Sequence, residues 1–117
     1  MDIKLEKALE FSNYIATFES QKRILFERYQ QNLILYKNGG KFAVTEHRLN
    51  FLQTLLSNGV GESVLIDDNN LPVRFENLEE LFKEMLETFN EATGRYEYEY
   101  NALKSKRSIE KLVDLNE

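Results

Sequence analysis

The chain contains no cysteine, one proline and one histidine in 117 residues. Without cysteine there is no disulfide, no zinc-thiolate centre and no cysteine nucleophile, and a reducing compartment fits. With His47 as the sole histidine, a multi-histidine metal site or a histidine-based triad has almost no material. A serine nucleophile would need His47 beside Ser57 or Ser63 and a carboxylate, and the glycines of a nucleophile elbow are missing. Walker and dinucleotide-binding glycine patterns are absent as well. No apolar run approaches the roughly 20 residues that span a bilayer. Asp2, Lys4, Glu6 and Lys7 occupy the stretch where a secretory signal would carry a basic start and an apolar segment. The expectation is a soluble cytoplasmic protein with no membrane partner and no cofactor.

Positive charge is also in short supply. The net charge is −5, with eight Lys/Arg against six Asp/Glu in residues 1–60 and seven against fourteen in residues 61–117. An acidic balance argues against binding a phosphate backbone, which needs clustered positive charge, so no nucleic acid is expected. The asymmetry between halves has a simpler use if the two pack together.

What is present in quantity is helical pattern. Leu78, Phe82, Met85, Phe89, Ala92, Tyr96 and Leu103 recur at three- and four-residue steps, which predicts one long amphipathic helix over 77–107. Asn77 and Glu80 form a capping box, Glu79 and Glu80 favour the helix start, and Lys104, Lys106 and Arg107 favour its end. Gly94 is its weak point, and Tyr96 and Tyr100 should face inward with Tyr98 outward. Ser108 would cap a short final helix carrying Ile109, Leu112, Val113 and Leu115 through 117. Residues 2–37 read as a first long helix on the stripe Ala8, Phe11, Ile15, Phe18, Leu25, Tyr29 and Tyr36, stopped by Asn38-Gly39-Gly40.

Between them, residues 41–76 read as a small α/β head. Lys41 to Val44 suit a short strand. Thr45 is an N-cap for a helix over 46–57, with Val44 and Leu49 as a hydrophobic staple and Asn58-Gly59 as its end. Ser63–Ile66 and Val73–Phe75 form a β-hairpin about the turn 67–70, with Pro72 at an edge and residues 41–44 as a third strand. The predicted fold class is mainly α with a small β element (α+β): a single domain of two long antiparallel helices, capped by a short helix and a β-hairpin.

Pairing residue 37 with residue 77 sets Tyr29 near Met85, Leu25 near Phe89, Phe18 near Tyr96 and Phe11 near Leu103. It also brings Lys22 and Arg28 to the levels of Glu91 and Glu87. Ile24, Phe26, Leu33 and Ile34 on one helix, with Leu81, Leu86 and Tyr98 on the other, widen the apolar faces beyond that single seam. The expected interaction surface is therefore Ile24, Phe26, Leu33, Leu81, Leu86 and Tyr98, and its expected occupant is a second copy, giving a coiled-coil-like homodimer.

Two acidic groups invite metal chemistry. Taking Asp68 as loop position 1 puts Glu79 at position 12 of an EF-hand, but Pro72 and Val73 then stand where an oxygen ligand and glycine are required, so a solvated turn is favoured. On the acidic helix, Glu80, Glu84 and Glu87 share a face and could hold magnesium, as in all-α nucleotide pyrophosphohydrolases. No second acidic motif accompanies them, and a solvated charged face is the simpler reading.

Gly39-Gly40-Lys41-Phe42, Val64-Leu65-Ile66-Asp67-Asp68-Asn69 and Lys106-Arg107-Ser108-Ile109-Glu110-Lys111-Leu112-Val113-Asp114 together resemble small uncharacterised proteins of large contractile-tailed phages of marine cyanobacteria. The resemblance implies a phage-encoded origin, with the host cytoplasm or the virion as location, and brings no activity or functional residues with it. The expected function is non-enzymatic protein–protein interaction or assembly; the alternative is a magnesium-dependent nucleotide phosphohydrolase.

Overall fold

The computed structural model describes residues 2–116, and side chains through residue 106. The element order is α1 (Ile3–Asn32), β1 (Ile34–Lys37), β2 (Gly40–Ala43), α2 (Glu46–Ser57), β3 (Ser63–Ile66), β4 (Pro72–Phe75) and α3 (Leu78–Asn116). The fold class is α+β and predominantly helical. The chain divides into two compact units, Tyr29–Arg95 and the paired segments Met1–Arg28 with Tyr96–Glu117.

In the unit Tyr29–Arg95 the first long helix ends at Asn32, five residues earlier than its apolar stripe suggests. Ile34 to Lys37 instead form a strand against Gly40–Ala43, pairing Lys37 with Gly40 and Ile34 with Ala43. The deciding residues are Asn38 and Gly39, with φ of 53° and 81°. Two consecutive positive φ values make the two-residue turn that matches strand twist. The same Asn-Gly pair that reads as a helix stop is therefore a hairpin turn, and β-branched and aromatic side chains before it favour the strand.

The second hairpin, β3 with β4, pairs Ser63 with Phe75 and Ile66 with Pro72. Its loop closes with Asn70 N–H bonded to Asp67 O (3.0 Å) and Asp67 N–H bonded to Leu71 O (2.9 Å). Asn70 at φ 64° completes a three-residue loop with a bulge. The 67/71 pair is hydrogen-bonded, so by alternation 65/73 and 63/75 are too, and 66/72 is not. Pro72 thus sits where its missing N–H costs the ladder nothing. The two hairpins stay separate sheets; β2 does not join β3 and β4 as a third strand, because side chains occupy the space between them.

Helix α2 follows its sequence signals closely. Thr45 Oγ1 accepts from Arg48 N–H at 3.0 Å. At the other end Val60 N–H reaches Leu55 O and Gly59 N–H reaches Leu56 O (3.0 and 3.1 Å), the two bonds of a Schellman cap, with Gly59 at φ 79°. Val44 and Leu49, at the staple positions, are both buried.

The core gathers Phe42 and Val44, Leu49 and Leu52 of α2, Leu65 of β3, Val73 and Phe75 of β4, and Leu78, Leu81 and Met85 of α3. Phe42 and Phe75 meet edge to face at 5.4 Å. Each such buried side chain contributes roughly 1.5–3 kcal/mol, several times an exposed ion pair, so this cluster fixes how α3 is held. The first turns of α3 are consequently used by the head, and the expected register shifts. Tyr29 meets Thr93 (Oη to Oγ1, 3.2 Å), eight positions beyond Met85, and Lys37 Nζ meets Glu84 at 2.7 Å. From Tyr29 to Lys37 the chain therefore runs antiparallel to α3.

In the other unit, Phe26 lies edge-on to Tyr96 (6.1 Å, 83°), where Phe18 was expected. Arg28 pairs with Glu99 at 3.2 Å rather than with Glu87, and Lys22 pairs along its own helix with Glu19 at 3.4 Å rather than with Glu91. Tyr96 and Tyr100 are half-buried and stacked at 6.3 Å, as their i, i+4 spacing anticipates. Helix α3 runs through Gly94 and on past Ser108, so there is no separate final helix. Residues 104–113 hold no glycine or proline to end it. The side chains of Ile109, Leu112, Val113 and Leu115 lie outside the described residues.

Candidate functional site

Helix α3 starts at an Asn77 cap, where Asn77 Oδ1 accepts from Glu80 N–H at 3.1 Å. The glutamates that follow project from its first turns. Glu84 is committed to Lys37, in a half-buried ion pair. Among the described residues no group of three or more His, Asp or Glu side chains is disposed to hold a metal ion, Glu80, Glu84 and Glu87 included.

In the turn at 67–70, Asp68, Asn69 and Asn70 are exposed as expected, but Asp67 is buried. Asp67 is 4% exposed. Its carboxylate accepts N–H groups from Lys41 (3.0 Å), Asn69 (2.9 Å) and Leu71 (2.8 Å). The Lys41 amide, then that of Leu71, hold the carboxyl below its ordinary range; burial opposes, while Asn69 and the Arg48 guanidinium add to the lowering. Asp68 accepts from Ala43 N–H (2.8 Å) and from Arg48 Nη1 (2.9 Å), and its own N–H donates to Lys41 O (2.8 Å). Arg48 also donates to Ala43 O and Ile66 O (2.8 and 3.3 Å) and lies over the Phe42 ring at 5.1 Å. Asp67, Asp68 and Arg48 thus bridge the two hairpins. Their chemistry is structural, since every polar atom aimed inward has a partner. The sequence signal for this was an aspartate pair in a turn, which fits a free loop equally well.

Arg48 closes one end of a groove between α2 and β3, about 460 Å³ in volume, whose walls include His47, Phe51, Val64 and Ile66. Phe51, Val64 and Ile66 are exposed. Ser57 and Ser63 are not among the residues lining it, so His47 has no serine partner there.

The six residues expected to form an interaction surface separate. Leu81 is fully buried in the core and Leu33 is half-buried against it, so neither presents a surface. Phe26 has one edge-on ring contact, to Tyr96, and is still exposed, to the same extent as Ile24. Ile24, Leu86 and Tyr98 remain exposed, Tyr98 at 77%. Sequence reasoning missed Leu5 and Leu9, which are 54% and 50% exposed, with Ile24 at 47%. At about 100° per residue Leu9 stands opposite Phe18, and Leu5, Leu9 and Ile24 share one side of α1 within about 100° of arc. Phe18 is the one buried residue of α1 among the described residues. No helix among the described residues is long and apolar enough to cross a membrane.

Comparison with protein-family models, with curated proteins and with solved structures gives no match in any of the three.

Proposed function

We propose that this is a non-enzymatic assembly protein that self-associates through its long helices, and the observation that carries the reading is the exposure of α1. A thirty-residue helix with a single buried side chain is marginal in water, because helices of globular proteins draw most of their stability from packing an apolar face. Leu5, Leu9 and Ile24 on the side away from Phe18 supply such a face, and a second copy related by a twofold axis covers it most economically. Apolar docking of that face forms the dimer, and the charged residues of both signs around it, Lys4, Glu6, Lys7, Glu10 and Arg23, restrict which surfaces meet. The resemblance noted above supports a phage-encoded origin, with the host cytoplasm or the virion as the place of action.

The magnesium-dependent phosphohydrolase reading has less behind it, since Lys37 holds Glu84 at 2.7 Å. One pair of experiments separates the two. Leu5→Glu with Leu9→Glu should lower the fraction of associated protein in size-exclusion chromatography at least about tenfold, by burying two unpaired charges. Glu80→Ala with Glu84→Ala should leave it unchanged. Magnesium at millimolar concentration should leave the melting temperature where it was, because a ligand stabilises only what it binds; a magnesium-dependent rise lost in the Glu80/Glu84 variant supports the hydrolase instead.

A further inference from the structure

Asparagine followed by glycine occurs twice in the chain, at Asn38-Gly39 and Asn58-Gly59. The pair is chemically labile: the nitrogen of the following residue can attack the asparagine side-chain carbonyl, and glycine has no side chain to obstruct the approach. Both pairs are exposed, and both glycines have positive φ, 81° and 79°. Hydrogen bonding is what separates them. The attacking nitrogen must first lose its proton, and an N–H that donates to a carbonyl is released only when the local structure opens.

At Asn58 the nitrogens that the reaction uses are engaged. Gly59 N–H donates to Leu56 O at 3.1 Å within the cap of α2, and Asn58 N–H donates to Thr54 O and Leu55 O, both at 3.2 Å. The Asn58 amide folds back over the helix end, with Nδ2 donating to Thr54 O at 2.8 Å. Closing a ring onto Gly59 would undo that cap. The arrangement at Asn38 is open. Lys37 and Gly40 are the strand pair that flanks the two-residue turn, so the Gly39 N–H points out of the turn to solvent. Among the described residues no group of the chain accepts from it. Nothing lies within 4 Å of where a Gly39 Cβ would stand. One exposed bond holds the Asn38 side chain, from Nδ2 to Arg74 O at 3.2 Å.

We propose that Asn38 is a deamidation site of the folded protein and that Asn58 is protected. The Gly39 nitrogen, its proton taken up by solvent hydroxide, bonds to Asn38 Cγ. The Cγ–Nδ2 bond breaks and the amide nitrogen leaves as ammonia, giving a succinimide. Water then opens the ring at either carbonyl, which yields aspartate or isoaspartate at position 38 and consumes no oxidant, reductant or cofactor. Both products act on the hairpin. A carboxylate cannot donate, so the tie from the turn to Arg74 O becomes a contact between two acceptors. Isoaspartate also adds a methylene to the backbone of a turn whose two positive φ values set the register of β1 with β2. The change runs one way and loosens this hairpin from β4.

Incubation of the intact chain at mildly alkaline pH, followed by cleavage after glutamate, tests it, because Asn38 then lies in the peptide 28–46 and Asn58 in 47–62. Mass spectrometry with fragment-ion assignment should show acid replacing amide at residue 38 at least about tenfold faster than at residue 58, whose hydrogen bonds must open first. In urea the two rates should converge. Equal rates in the folded chain, or faster reaction at Asn58, overturn the inference. So does an Asn38 that reacts in urea but not in the folded chain. A difference that persists unchanged in urea overturns it as well, since sequence and not fold would then set the selectivity. The modified fraction, separated by its added negative charge, should melt below the parent, and so should Asn38→Asp, which makes one product directly. A modified fraction as stable as the parent contradicts the loosening.

Discussion

Gly40 offers the sharpest test of the core, because the reason for glycine there is space and not backbone conformation. A Cβ at Gly40 would stand 2.6 Å from Phe42 Cε2 and 2.8 Å from Val73 Cγ2. Phe42 is wholly buried and held against Phe75 at 5.4 Å, so the ring has nowhere to move. Overpacking of this kind costs about 1–3 kcal/mol. Replacing glycine by alanine also restricts the unfolded chain, which offsets about 0.4–1 kcal/mol. The net expectation for Gly40→Ala is a loss of about 1–2 kcal/mol by these two effects. That corresponds to a melting temperature lower by roughly 5–10 °C in a domain of this size. Gly61→Ala is the control: nothing lies within 4 Å of its Cβ and its φ is not positive, so it should be neutral or stabilising. Urea titrations of the two variants beside the parent would settle the matter. If Gly40→Ala proved as stable as Gly61→Ala, the close packing of β2 on β4 would be wrong.

Three further outcomes follow from the same packing. Leu81→Ala should cost about 2–5 kcal/mol in chemical denaturation, as for other buried leucines, whereas Tyr98→Ala should stay within about 0.5 kcal/mol. Thr45→Ala should cost about 1 kcal/mol through loss of the α2 cap, read as a thermal shift. Asp67 has its carboxyl lowered in the folded chain, so its contribution to stability is complete above the ordinary carboxylate value and disappears as pH falls through the lowered one. Asp67→Asn should therefore destabilise the protein at neutral pH and flatten the acid limb of its stability profile; an unchanged acid limb would contradict the role given to those three amides.

Much of the fold was legible because its signals are local. Thr45, Asn58-Gly59, Asn77 with Glu80, and the Tyr96/Tyr100 spacing each act within one or two turns, and each does what its side-chain chemistry dictates. The failures are places where a local pattern has two physical solutions. Leu33 to Tyr36 continue a helical stripe, yet Asn38-Gly39 can adopt two positive φ values and convert that stretch to a strand. Ser108 has the side chain of a cap, but nothing near it stops a helix, and α3 runs on. The inter-helix register slipped by eight positions at Tyr29 because periodicity says which face is apolar, not which partner claims it. Leu78 and Met85 lie on the α3 stripe that faces α1 on paper, but the sheets and α2 claim them, together with Leu81 from beside that stripe.

The candidate surface follows the same logic. Tyr98 and Ile24 were identified from surplus hydrophobicity and are exposed, whereas Leu81 was indistinguishable from them by pattern and is core. Leu5 and Leu9 lie on the side of α1 away from the stripe through Phe11 and Phe18, so that stripe does not predict them. Asp67 and Asp68 could not be placed from sequence at all, since their partners, Lys41, Ala43 and Arg48, lie 20 to 26 residues away.

Self-association through α1 is the central claim, and sedimentation equilibrium on the parent chain from low to high micromolar concentration tests it most directly. The account predicts a mass rising toward at least twice the 13.8 kDa of one chain, with Leu5→Glu/Leu9→Glu held near the single-chain mass. A parent chain that stays monomeric throughout that range contradicts it.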